Sequence, residues 1–170
     1  FCATRRHSYV MVDIPGTYSL MAHSAEEEVA RNFICFGEPD AVVVVCDATC
    51  LERNLNLVLQ TMEISSRVLV CVNLLDEAKR KGIQIDLGAL SARLSVPVVG
   101  AVARKKQSLG HLMSELDRLI DGKIETHPLQ VRYLRPIEDA IGIMEPLLRE
   151  RFGERINPRW LSLRLLDAEP

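Results

Sequence analysis

Residues 41–46 read A-V-V-V-V-C and leave no polar position on either face of a strand. Such a strand is stable only inside a parallel sheet with helices covering both sides. The flanking sequence must then supply helices at the right intervals, and it does. Residues 8–14 (S-Y-V-M-V-D-I) read as a strand. Ser24 opens a helix, with Glu27 three residues later completing a capping box. Val29, Ala30, Phe33 and Ile34 give that helix an apolar face at 3.6-residue spacing, and Gly37 and Pro39 punctuate its end. Residues 51–64 form the next helix, with Leu55, Leu59 and Met62 inward. Residues 68–72 are a second buried strand. Residues 77–81 and 87–94 are short helices. Residues 96–99 are a last strand, with Pro97 tolerable at its start. Ser108 caps a helix in which Leu109, Leu112, Leu116 and Leu119 repeat at 3-4-3 spacing. This alternation predicts an α/β fold with a mostly parallel sheet, helices on both faces and right-handed crossovers. Ligands of such sheets bind at the carboxyl ends of the strands.

The organisation changes near Gly122. Residues 1–122 carry the α/β pattern, residues 123–131 read as a linker, and residues 132–170 form a small all-α appendage. In the appendage Leu134, Ile137, Ile141, Met144 and Leu148 make one apolar stripe. Pro136 suits its first turn, and Pro146 is expected to kink or break it. A second helix follows Asn157, with Pro158 first and Trp160, Leu163 and Leu166 on one face. Trp160 reads as the core anchor of this tail.

Composition removes several classes. A net charge of −2 over 170 residues gives no electrostatic footprint for nucleic acid. The longest apolar runs, 41–46 and 67–75 (the latter interrupted by Asn73), fall well short of the roughly 18 residues of a spanning helix. Five cysteines at irregular spacing, with only a lone C-x3-C at Cys46 and Cys50, do not make a zinc site. The first residue is Phe1, which points to a fragment or a processed chain.

Three strand-end segments can carry chemistry. In Asp13-Ile14-Pro15-Gly16, the Asp can reach a magnesium ion directly or through water, and the Gly lets a backbone N–H approach a terminal phosphate. In Asn73-Leu74-Leu75-Asp76, the carboxylate can accept from N1 and the exocyclic amine of guanine. Adenine lacks that donor pair and would leave buried polar groups unpaired. The Asn can bond the base and tie neighbouring loops. Val102-Ala103-Arg104 can offer a backbone N–H to the guanine carbonyl. Each segment alone also fits a turn or a helix start. Together they lie in order at the carboxyl ends of different parallel strands, which is the layout of a guanine-nucleotide-binding fold. A receiver domain would instead want an acidic pair near Asp13, and none accompanies Asp47 there.

The stretches D-I-P-G-T-Y-S-L (13–20), D-A-T-C-L-E-R-N-L (47–55) and N-L-L-D-E-A-K-R-K-G-I (73–83) closely resemble the cytosolic GTPase domain of FeoB-type ferrous iron transport protein B. The tail N-P-R-W-L-S-L-R-L-L (157–166) is similar to that family's helical domain, so the resemblance covers essentially the whole chain. It implies a Ras-like three-layer fold that binds GTP or GDP with magnesium and regulates ferrous iron uptake at the cytoplasmic face of the bacterial inner membrane. Asp13 would be the magnesium-side carboxylate, and Ile14, Pro15 and Gly16 would belong to the phosphate-sensing switch. Asn73, Leu74 and Asp76 would read guanine, and Val102, Ala103 and Arg104 would complete the base pocket. Residues 18–28 would form the second switch. The implied partners are guanine nucleotide and the membrane-embedded iron-permease portion of the same parent protein. Further copies of the chain are an open alternative.

Two parts of the family pattern do not occur in the 170 residues. There is no G-x4-G-K-[ST] and no first switch with its magnesium-binding Thr. No catalytic residue is identifiable, since Thr17 follows Gly16 where Ras-like enzymes carry Gln. The residues that would decide potassium dependence lie upstream in the pattern. The expectation is a polypeptide that binds GTP weakly and hydrolyses it poorly. The alternative is a nucleotide-free interaction module working through its switch segment and tail. Without the family's central first strand, the sheet should show an exposed seam, a direct pairing of the flanking strands, or a partner chain between them.

Overall fold

The computed structural model describes residues 1–17, 19–20, 24–153 and 155–167. It opens with a small antiparallel ladder, β1 (Cys2–Ala3) and β2 (Ser8–Tyr9). There follow α1 (Ala25–Phe36), β3 (Val42–Asp47), α2 (Leu51–Ile64), β4 (Val68–Asn73), α3 (Leu75–Arg80), α4 (Leu87–Leu94), β5 (Val98–Gly100), α5 (Lys106–Ile120), α6 (Arg135–Phe152) and α7 (Pro158–Asp167).

The main sheet is parallel with order β3-β4-β5. Val42 pairs with Val68 and Asp47 with Asn73, so β3 and β4 end level with each other. Val68, Leu69, Val70 and Val72 are all 0% exposed, which makes β4 the centre of the core. On one face Val44, Cys46, Val70 and Val72 pack against Val58 and Met62 of α2 and Leu94 of α4. On the other, Leu69 and Val99 meet Leu116 and Leu119 of α5, with Tyr9 at the margin. Each fully buried side chain contributes roughly 1.5–3 kcal/mol. α1 starts where the capping signal predicts, with Ser24 Oγ accepting from the Glu27 N–H at 3.2 Å. Its Ala30 and Ile34 pack with Leu20 against Leu57 and Ile64 of α2, whereas Val29 is exposed.

Several expectations change. Only Ser8 and Tyr9 of the anticipated strand 8–14 are paired. Val10, Met11 and Val12 are 70%, 53% and 52% exposed. A run of this kind becomes a strand only with a ladder beside it, and β3 keeps its outer edge unpaired among the described residues. The expected seam is therefore an open edge. β5 begins at Val98 and not at residue 96. Pro97 has no N–H to give, and its carbonyl instead accepts from the Val70 N–H at 2.9 Å. α5 starts two residues before Ser108, which lies inside its first turn and is not its cap.

Pro146 does not break α6, which runs unbroken through it. The ring disturbs only the carbonyl of Gly142, and both residues lie on the exposed side, where water can satisfy the freed group. Ile141 is the buried residue of the α6 stripe, and Leu134 precedes the helix and is exposed. Asn157 Oδ1 caps α7 by accepting from the N–H groups of Arg159 (3.0 Å) and Trp160 (3.3 Å). Trp160, Leu163 and Leu166 do not close a core but line a groove of about 420 Å³ with Leu20, Ile64 and Ile137. The segment before α6 is bound to the sheet domain by Leu129 N–H to Leu94 C=O at 3.0 Å and Thr126 Oγ1 to Ser66 C=O at 2.7 Å.

Candidate functional site

The level ends of β3 and β4 put Asp47 and Asn73 side by side. Asp47 is held from two directions. Its N–H donates to Asn54 Oδ1 at 2.6 Å, and its Oδ1 accepts from the Thr49 N–H at 2.7 Å. The Thr49 bond leads the causes that keep its carboxyl below the usual range. The Asn73 carbonyl accepts from the Ala48 N–H at 2.9 Å, which joins the loops after β3 and β4.

The loop after β5 is tied in as well. Asn73 Oδ1 accepts from the Ala103 N–H at 3.0 Å. Ser108 Oγ accepts from the Val102 N–H at 3.0 Å and donates to the Val102 carbonyl at 2.8 Å. Arg104 Nη2 donates to Asp76 Oδ2, forming an ion pair across 28 positions of sequence. Burial alone would raise the Asp76 carboxyl. The hydrogen bond and charge of Arg104, with the Glu77 and Asp76 N–H groups, hold it below the usual range. Leu74, between the two polar motif residues, sits at φ 61° and ψ 31° as the start of α3. A branched side chain rarely adopts that region, and the turn it makes turns Asp76 back toward the β5 loop.

Asn73, Asp76, Val102, Ala103 and Arg104 are thus one connected cluster, as their sequence order suggests. Asp13, Ile14, Pro15 and Gly16 are not bonded to it. Asp13, Pro15 and Gly16 are exposed. Gly16 has no left-handed φ, and an added Cβ would meet no atom within 4 Å. The next residue, Thr17, does reach the strand ends. It lines a hollow of about 250 Å³ with Asp47, Cys50, Asn54, Asn73 and Leu74. Gln60 of α2 anchors the same segment, its Oε1 accepting from the Leu20 N–H at 2.6 Å. Of the anticipated switch 18–28, positions 18 and 21–23 lie outside the described residues. The described residues hold no group of three or more His, Cys, Asp or Glu placed to bind a metal.

Two positioning residues escaped the motif reading. Ser108 looked like a helix cap because Ser before an apolar repeat usually is one. Asn54 stands seven residues from the N–H that it receives, inside a helical pattern that hides it.

Comparison with known proteins shows the family and the fold. A family model described as ferrous iron transport protein B matches residues 1–116. The Fe(2+) transporter FeoB of Salmonella choleraesuis (strain SC-B67) is 34% identical over 172 residues, and that of Escherichia coli K12 is 34% identical over 177. Each match covers 98% of this chain and 22% of the relative, so the chain spans about a fifth of these transporters. Among solved structures, the cytosolic domain of T. maritima FeoB in its GMPPNP form aligns with a TM-score of 0.83 at 31% identity, over 94% of this chain and 63% of that one. The FeoB G-domain of Methanococcus jannaschii aligns with a TM-score of 0.63 at 44% identity, over 65% of this chain and 70% of that one. The helix-covered parallel sheet is the Ras-like GTPase fold.

Proposed function

Because the chain belongs to the ferrous iron transport protein B family, we propose that it is the guanine-nucleotide-binding domain of an Fe2+ transporter, with part of the helical domain that follows. We place the boundary at residues 123–131. The observation that carries the reading is the joining of Asn73, Asp76 and the 102–104 loop at the ends of β4 and β5. A carboxylate, an amide and a backbone N–H there match the edge of guanine and leave adenine with unpaired groups. In this reading Asp13 would supply the magnesium-side carboxylate and Gly16 the phosphate-sensing N–H. Neither sterics nor φ requires glycine at 16, and its backbone is open to the approach of a ligand. Asp13 is solitary, so it fits magnesium as one ligand beside phosphate oxygens and water. The bound ion would neutralise charge on those oxygens.

In the parent protein the nucleotide state would pass through the Gln60-anchored segment and the helical tail to a membrane-embedded iron pathway. The working location is the cytoplasmic face of the bacterial inner membrane, and no described helix is long and apolar enough to span one. A polypeptide of these 170 residues alone is a weak binder. A glycine-rich phosphate loop supplies about four charge-assisted hydrogen bonds, at roughly 1.5–3 kcal/mol each. Going without them costs on the order of 6 kcal/mol, or about four decades of affinity. Titration with a fluorescent guanine nucleotide plus magnesium, competed with GDP and ATP, tests both parts. The expected result is millimolar binding displaced by GDP and not by ATP. A stoichiometric micromolar complex would overturn the weak-binding part, and equal displacement by ATP would overturn the base assignment.

A further inference from the structure

The polar groups assigned to guanine are already engaged in this structure. Asp76 Oδ2 is taken by Arg104, and the Ala103 N–H is taken by Asn73 Oδ1. Guanine needs the two oxygens of one carboxylate side by side, because N1–H and the exocyclic amine are neighbouring donors. The Arg104 guanidinium holds one of those two oxygens, Oδ2, through Nη2. Its side chain is 71% exposed and that of Asp76 is 22% exposed, so the pair sits at the mouth of the site and can open without disturbing the core. The loop that carries Arg104 is tied down independently of the pair two residues earlier, through the Ser108 bonds to Val102.

We propose that Arg104 is an internal competitor for the guanine site: its guanidinium occupies the Asp76 carboxylate until the base displaces it. This rests on the assignment of Asp76 as the base-reading residue. The free site thereby avoids an unpaired carboxylate, and every binding event must first open one ion pair. Exposed pairs are weak, so the expected handicap is modest, about three- to fivefold in affinity. The competition also depends on salt, because screening loosens Arg104 from Asp76.

Guanosine is the suitable probe, since it is uncharged and makes no demand on a phosphate loop. Its affinity is measured by amide NMR titration of the 170-residue chain, of Arg104→Ala and Arg104→Lys, and of Asp76→Ala in the wild-type and Arg104→Ala backgrounds. Arg104→Ala should bind guanosine about three- to fivefold tighter, with Arg104→Lys in between. Raising NaCl from 50 to 500 mM should tighten the wild type toward the variant and leave the variant unchanged. Asp76→Ala should abolish binding in both backgrounds. Unchanged or weaker binding by Arg104→Ala, with Asp76 still required, overturns the competitor and leaves the base assignment standing. Binding indifferent to Asp76→Ala, or no detectable binding by wild type and Arg104→Ala alike, overturns the assignment and the competitor with it.

Discussion

Gly16 is a residue that folding does not require. Its surroundings are open and its backbone is ordinary. Gly16→Ala should therefore melt within about 0.5 kcal/mol of the wild type, while in the intact transporter it should blunt the difference between GTP- and GDP-bound states. A large loss of stability in a thermal melt would show that a structural role had been missed. At this scale the motif residues were readable because chemistry restricts their types. Only a carboxylate pairs with guanine's two donors, so Asp76 could be singled out once N-x-x-D was read together with the other strand-end segments; alone it fits a helix start as well. Its contact with Arg104 could not be, because nothing local signals a pairing between positions 76 and 104. Ser108 was visible but given the wrong job, since a hydroxyl that ties a loop looks the same in sequence as one that caps a helix.

The elements follow the apolar pattern where a segment has a packed neighbour, and depart from it where it has none. Strands β3 and β4 and helices α2 and α4 fall within one residue of the pattern, because each packs an apolar face into the core, although Val45 on the other face of the edge strand β3 is 60% exposed. Residues 10–14 carry the same kind of pattern and remain unpaired, since strand formation needs a neighbour as well as a composition. Gly100 shows how tightly the packed part is built. A Cβ there would run into the Cδ1 atoms of Leu75 in α3 and Leu87 in α4. Gly100→Ala should destabilise the domain by about 1–3 kcal/mol in urea unfolding, and a neutral result would mean that those leucines repack freely. The same glycine closes the strand that delivers the 102–104 loop, so its packing sets the height of the base site.

Across the whole molecule, polar contacts join α7 to α6 within the tail and the start of the tail to α2. Arg159, with its side chain only 12% exposed, makes paired bonds to Glu138 at 2.9 and 2.7 Å and a third to the Val131 carbonyl at 2.9 Å. Tyr133 donates to Glu63 of α2 at 2.7 Å, and its hydroxyl is pushed up to about 12, first by burial and then by that bond. The Arg159 hydrogen bonds, followed by the Tyr133 N–H, hold Glu138 at about 2. A carboxyl lowered on folding adds stability that is present above its unfolded value near 4.3 and is lost as pH falls through the folded one. The contact between α6 and α7 should therefore loosen between about pH 4.3 and 2. Trp160, the single tryptophan, reports it, and its fluorescence should change in that window in the wild type. Glu138→Gln should start looser and show little further change there. An unchanged wild-type signal down to pH 2 would argue that the tail is held by its apolar contacts.

On the proposed function, the ends of β4 and β5 read guanine through Asp76. The direct measurement is a competition titration of wild type and Asp76→Asn with GDP, ADP and XDP. Xanthine carries an oxygen where guanine has its amine, and an asparagine amide can donate to that oxygen where a carboxylate cannot. The wild type should prefer GDP, and Asp76→Asn should prefer XDP over GDP by about tenfold or more. The same order of affinities in both proteins would contradict the account.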